Sequence, residues 1–137
     1  MNEYTKPLPT PTADSQPFWD ACRDEKLTCQ RCDDCKTARF PPHHVCPNCL
    51  SVNSHWEEMS GKGSVFSFTV FRRVYDPGFA DEVPYVVALI ELEEGPRMLS
   101  NVVSIDPDKV VCGMPVKVVF EKATQEITLP KFEPAES

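Results

Sequence analysis

Seven cysteines stand in this chain of 137 residues, and four of them follow the spacing Cys32-x2-Cys35-x10-Cys46-x2-Cys49. Each Cys-x2-Cys puts two sulfurs on one tight turn, and the ten-residue loop lets the two turns face each other. Four thiolates can then close tetrahedrally on Zn²⁺ with no position left for water or substrate, so the metal implied is structural. Cys29-x2-Cys32 is also a legal knuckle, but it would orphan Cys35. The register from Cys32 is therefore preferred, and Cys29 is read as a small packed residue beside the knuckle. His43 and His44 lie inside the loop and are the alternative ligands for a mixed site.

The other reactive side chains do not assemble into a catalytic set. Cys22 and Cys112 are solitary, and nothing in the spacing brings His43, His44 or His55 to either thiol as a base, so both are read as packing residues. The acidic residues cluster as Asp33-Asp34, Glu57-Glu58, Asp81-Glu82 and Glu93-Glu94, near knuckles and turns where a solvated face is the ordinary explanation. There is no glycine-rich phosphate loop and no His-Glu-x-x-His helix, so independent catalysis is not expected. Lys62, Arg72, Arg73 and Lys117, with Arg97 and Lys122, are candidates for a diphosphate if folding makes them converge.

These residues need elements to hold them. Residues 1–17 carry Pro7, Pro9, Pro11 and Pro17 and read as an extended arm. Ser15 is a plausible cap for a helix of two or three turns, with Pro17 in its first turn and Phe18, Trp19 and Cys22 on one apolar patch. So short a helix must pack on something, either the rest of this chain or another subunit. Phe40, Pro41 and Pro42 stiffen the path between the two cysteine pairs. Beyond Gly61 and Gly63, strand-like runs cover 65–71, 85–92, 97–103 and 115–120, with a last one near 126–129. Period two would put Phe66 and Phe68 on one face and Phe71 on the other. Glu93-Glu94-Gly95-Pro96 forms a turn, and Asp106-Pro107-Asp108-Lys109 starts a short helical one. Five uneven strands suit a small closed barrel. The expected division is an arm and helix over 1–26, a zinc ribbon over 27–60, and a barrel with a C-terminal tail over 61–137.

Charge and composition narrow the function. The formal net charge is −7, and four thiolates on one Zn²⁺ bring it to about −9. Residues 1–60 carry six basic and nine acidic side chains, and residues 61–137 eight and twelve. Neither half has the concentrated basic face that a phosphate-backbone binder needs. An odd cysteine count, no secretory-type opening and no long apolar run point to a cytoplasmic chain with reduced thiols and no membrane span, a disulfide scaffold being the alternative.

Several segments together carry a family resemblance. They are Pro17-Phe18-Trp19-Asp20-Ala21-Cys22, Gln30-Arg31-Cys32-Asp33-Asp34-Cys35, Phe40-Pro41-Pro42, Cys46-Pro47-Asn48-Cys49, Gly61-Lys62-Gly63-Ser64-Val65-Phe66-Ser67-Phe68-Thr69-Val70, Pro84-Tyr85-Val86-Val87-Ala88-Leu89, Glu94-Gly95-Pro96-Arg97, and residues 113–121. The chain resembles the acyl-CoA-associated proteins, formerly a domain of unknown function, that join a rubredoxin-like zinc ribbon to an OB-type barrel. That resemblance implies a mainly β fold with a short N-terminal helix and a five-stranded OB barrel. It also implies a noncatalytic accessory subunit in a hetro-oligomer, whose thiolase-fold partner holds the catalytic groups and acts on a coenzyme A thioester by thiolysis, condensation or retro-aldol cleavage. Within the family the similarity runs toward the small accessory subunits of thiolases of aromatic compound degradation, such as 2-benzoylsuccinyl-CoA thiolase. Cys32, Cys35, Cys46 and Cys49 take the family's zinc positions, and Lys62, Arg72, Arg73 and Lys117 become candidate contacts to CoA phosphate. Glycine often follows the second and fourth cysteines in the family, and arginine the two prolines; here stand Lys36, Leu50 and His43. Two other functions are the alternatives: an OB module binding single-stranded nucleic acid through Phe66, Phe68 and Phe71, and a rubredoxin-like electron carrier with iron in the four-sulfur site.

Overall fold

A computed structural model of the chain describes residues 8–74 and 76–135, so the expected arm begins, with Pro7, outside the described residues. The helix α1 spans Gln16–Arg23, with Pro17 in its first turn, where a missing N–H costs nothing. Phe18 and Cys22, four residues apart, are buried, while Asp20 accepts hydrogen bonds from Gln16 and Arg23 on the outer side. Ser15 stands at the cap position but does not cap the helix. Its hydroxyl turns back and accepts the Thr12 N–H at 2.9 Å.

A small antiparallel sheet follows, built from β1 (Thr28–Cys32), β2 (Ala38–Arg39) and β3 (Ser54–Glu58) in the order β2-β1-β3. Five further strands close the barrel: β4 (Lys62–Phe71), β5 (Tyr85–Leu92), β6 (Arg97–Val102), β7 (Pro115–Lys122) and β8 (Thr128–Pro134), in the order β4-β5-β6-β8-β7. The strict alternation along β5 buries Val86, Ala88, Ile90 and Leu92 on the inner face. Close approach at the β4–β5 start needs Gly63, where a Cβ would lie 2.6 Å from the Glu91 carbonyl oxygen.

The core is shared. Phe18, Cys22, Leu27, Cys29 and Met59 belong to the same buried cluster as Val65, Ile90, Met98, Val116 and Phe132 of the barrel. Phe18, only 2% exposed, packs edge-on against Trp19 and Phe40. Of the two expected packing partners for the helix, the rest of this chain is the one found.

Two strand expectations are corrected. Val65 pairs with Ile90 but Ser67 pairs with Leu89, so Phe66 is an extra residue in a bulge. The bulge breaks the period: Phe68 packs against the core while Phe66 is 44% exposed beneath the Arg97 guanidinium, 3.8 Å from its ring centre. The last strand, in turn, runs to Pro134 instead of stopping near 129, and so takes up most of the expected tail. Phe132 accepts the Val103 N–H on the β6 side, and Pro130 and Pro134 lie two residues to either side. Their missing donors thus face β6, where only Val102 and Phe132 are paired, and the β7 ladder stays whole.

Urea unfolding checks this partition of the aromatics. Phe132→Ala is expected to cost about 3–5 kcal/mol through cavity formation, whereas Phe66→Ala should cost no more than about 1 kcal/mol, the worth of an exposed cation–π contact.

Candidate metal centre

Cys32 ends β1, and Cys35 follows on the turn between β1 and β2. Cys46 and Cys49 sit on a second turn before β3. The two turns repeat the same hydrogen bonds: Cys32 N–H to Thr37 and Lys36 N–H to Cys32 in one, Cys46 N–H to Ser51 and Leu50 N–H to Cys46 in the other. All four sulfurs lie within 4.8 Å of one another, with Cys32–Cys49 at 3.5 Å and Cys35–Cys46 at 3.6 Å. Four sulfurs at Zn–S distance around one tetrahedral ion are about 3.8 Å apart, so the donor set fits zinc in both number and spacing. The four-cysteine ribbon supports a structural zinc.

The protonation chemistry agrees. The backbone N–H of Cys35 holds the Cys32 thiol below its ordinary range, and hydrogen bonds from Asn48 and Thr37 bring Cys35 down to about 5. Cys49 receives the Ser51 N–H, yet desolvation and the adjacent Cys32, Cys35 and Cys46 sulfurs push it up to about 12. Sulfurs this close cannot all ionise unless a cation joins them, and metal binding then expels the protons that remain. Lys36 and Leu50 both adopt φ +66°. Each knuckle therefore closes on a side chain held in the left-handed conformation that glycine adopts without penalty.

Sequence reasoning missed the polar lock between the knuckles. Gln30 and Arg39 face each other across β1 and β2, and both are buried. The Gln30 side-chain oxygen accepts the His43 N–H at 2.7 Å and the Arg39 Nε–H at 3.1 Å. Arg39 Nη2 donates to the His43 carbonyl at 2.6 Å and to Ser54 Oγ at 3.4 Å. Arg39 lies four residues beyond Cys35 and carries no signal of burial in the sequence; only the fold encloses it. The histidines stay out of the sulfur cluster: the Val45 N–H donates to His43 Nδ1, His44 stacks on His43 and approaches Asp14, and His55 pairs with Asp33. Arg31 holds Glu57 through two bonds of 2.7 and 3.1 Å, which keeps that carboxyl below its usual range.

The basic residues do not form one site. Lys62 and Lys117 are cross-strand neighbours at one end of β4, and Lys117 lies 3.7 Å from Glu133. The cavity beside Lys62, about 530 Å³, is also lined by Glu91 and Glu93. Arg72 and Arg73 follow the other end of β4, about 30 Å away at the rise of a strand, and Arg72 is bonded to Asp108 at 2.6 Å. No single diphosphate spans both groups. Nor do the aromatics make a stacking platform, since Phe68 is in the core and Phe71 packs edge-on against Tyr85. Among the described residues no helix is long and apolar enough to cross a membrane.

Residues 19–53 match the family described as ChsH2, rubredoxin-like zinc ribbon domain, and residues 56–121 that described as ChsH2, C-terminal OB-fold domain. A probable enoyl-CoA hydratase alpha subunit of Thermomonospora curvata is 43% identical over 95% of this chain. The chain belongs to the ChsH2/DUF35 family. It spans 40% of the length of that Thermomonospora relative. A second member, a DUF35 domain-containing scaffold protein of Methanothermobacter thermautotrophicus, is 41% identical over 73% of this chain and 75% of its own. A solved ChsH2/DUF35 structure, the Ltp2-ChsH2(DUF35) aldolase, superposes with a TM-score of 0.85 at 43% identity, covering 94% of this chain and 100% of that one.

Two measurements probe the site. Leu50 is 76% exposed, so Leu50→Gly relieves its left-handed backbone at little packing cost; the zinc-loaded chain should gain about 0.5–1 kcal/mol in denaturant unfolding. Burial pushes the Cys22 and Cys29 thiols from the ordinary 9.0 up to about 12. A raised acid binds its proton more tightly when folded, so this contribution is intact below pH 9 and is lost as pH rises toward 12. The loss should approach ~1.4 kcal/mol per pH unit for each thiol, and Cys22→Ala should flatten the slope of unfolding free energy against pH.

Proposed function

We propose that this chain is a noncatalytic, zinc-stabilised accessory subunit of an enzyme complex acting on acyl-CoA thioesters, with Cys32, Cys35, Cys46 and Cys49 as the zinc ligands. The observation that carries the reading is the match to the ChsH2(DUF35) chain of an aldolase complex over nearly the whole of this chain. A relative named as a hydratase alpha subunit points the same way. Four sulfurs complete a tetrahedral zinc without an open position, which suits a structural ion.

The partner is a thiolase-fold subunit that supplies the catalytic groups and the main CoA site, in a hetero-oligomer of the cytoplasm. This chain's part is a stiff surface. On the second knuckle Leu50 and Val52 stand exposed, next to a cavity of about 360 Å³ formed by Phe40, Pro41, Val45, Pro47 and neighbours. Because metallation makes such a ribbon rigid without a large core, docking depends on the ion.

Co-expression of the untagged chain with a thiolase-fold subunit encoded beside it tests the reading. The two should co-purify with one zinc per ribbon, the pair should turn over CoA thioesters, and chelation should dissociate it. A zinc-loaded chain that stays alone and never alters that enzyme's turnover would refute the assignment.

A further inference from the structure

Arg39 is 6% exposed, and every group it binds is neutral: the Gln30 side-chain oxygen, the His43 carbonyl and the Ser54 hydroxyl. Its Nη1 is buried without any partner. Among the described residues no carboxylate forms an ion pair with it. A buried cation left without a counter-charge costs several kcal/mol, so an anion is to be sought close by.

Its surroundings are those of the four sulfurs. Ser54, which accepts from Nη2, is the strand partner of Cys32, and His43, which accepts from both Nε and Nη2, lies three residues before Cys46. Arg39 and Cys46 also line the same two cavities, together with Phe40 and Pro47. One Zn²⁺ with four thiolates retains a net charge of about −2.

We infer that Arg39 is the counter-charge of the tetrathiolate zinc centre. Hydrogen bonds to β1, β3 and the inter-knuckle loop hold the guanidinium in place. Its charge offsets part of the excess on the sulfurs, raising metal affinity and lowering the nucleophilicity of the bound thiolates. The inference rests on the zinc reading above.

Three variants of the full chain separate charge from hydrogen bonding. Arg39→Met removes both, Arg39→Gln keeps polar reach without charge, and Arg39→Lys keeps charge but loses the forked donor geometry. Zinc affinity by chelator competition should fall about 10- to 100-fold in Arg39→Gln and Arg39→Met, and iodoacetamide should alkylate their zinc-loaded thiolates several-fold faster. Arg39→Lys should stay within about threefold of the parent on both counts, since a purely structural fork would not be rescued by lysine. If Arg39→Met does not fold, the Gln and Lys pair still decides. Parental zinc affinity and alkylation rate in Arg39→Gln, or a Lys variant as impaired as the Gln one, would overturn the inference while leaving the zinc reading standing. A parent chain that binds no zinc would overturn both.

Discussion

Repulsion among four sulfurs governs the N-terminal half of this protein. Within 4.8 Å of one another, they cannot all carry charge in the absence of a cation, and desolvation together with the neighbouring sulfurs pushes the Cys49 thiol up to about 12. A divalent ion turns this conflict into four bonds. The sheet that carries the knuckles is otherwise slight, with a two-residue β2 and five residues each in β1 and β3. Its order comes from the ligand turns, the buried Gln30–Arg39 lock and the Arg31–Glu57 pair.

The ribbon is fastened to the barrel by a common interior. Phe18 and Cys22 from α1, Leu27 and Cys29 from the approach to the first knuckle, and Met59 from the exit join the apolar residues of the barrel in one cluster. Cys29 stands three residues before Cys32 yet sits in that cluster and outside the sulfur quartet, which is why its thiol is pushed up when Cys32 and Cys35 are pulled down. Stiffness at the metal is thereby transmitted to the barrel through packed side chains. A surface mounted on such a frame loses little freedom on docking, which favours an accessory role.

Much of this was legible in the chain. Each knuckle is a local turn, so Cys-x2-Cys marks its pair of clustered sulfurs without reference to distant residues, and the buried alternation of Val86, Ala88, Ile90 and Leu92 follows directly from strand period. The turn at Gly95 and the short helical turn at Pro107 were likewise local. The bulge at Phe66 was not, because an extra residue shows only against the partner strand. The reach of β8 across Pro130 and Pro134 was hidden for a related reason: which side of the strand each missing N–H faces depends on the neighbouring strands. Arg39 reads as a surface charge in sequence, and only the folded loop around His43 encloses it.

Sequence by itself determined which four sulfurs gather, the presence of a barrel of five strands and the acidic character of both halves, because these depend on spacing, periodicity and composition within short stretches. Tertiary structure alone decided that Phe18 is buried at home, that Lys62 and Lys117 lie far from Arg72 and Arg73, and that a guanidinium lies buried between the knuckles. Those outcomes turn on which distant segments share a wall, and burial and electrostatic pairing act through space without regard to separation along the chain.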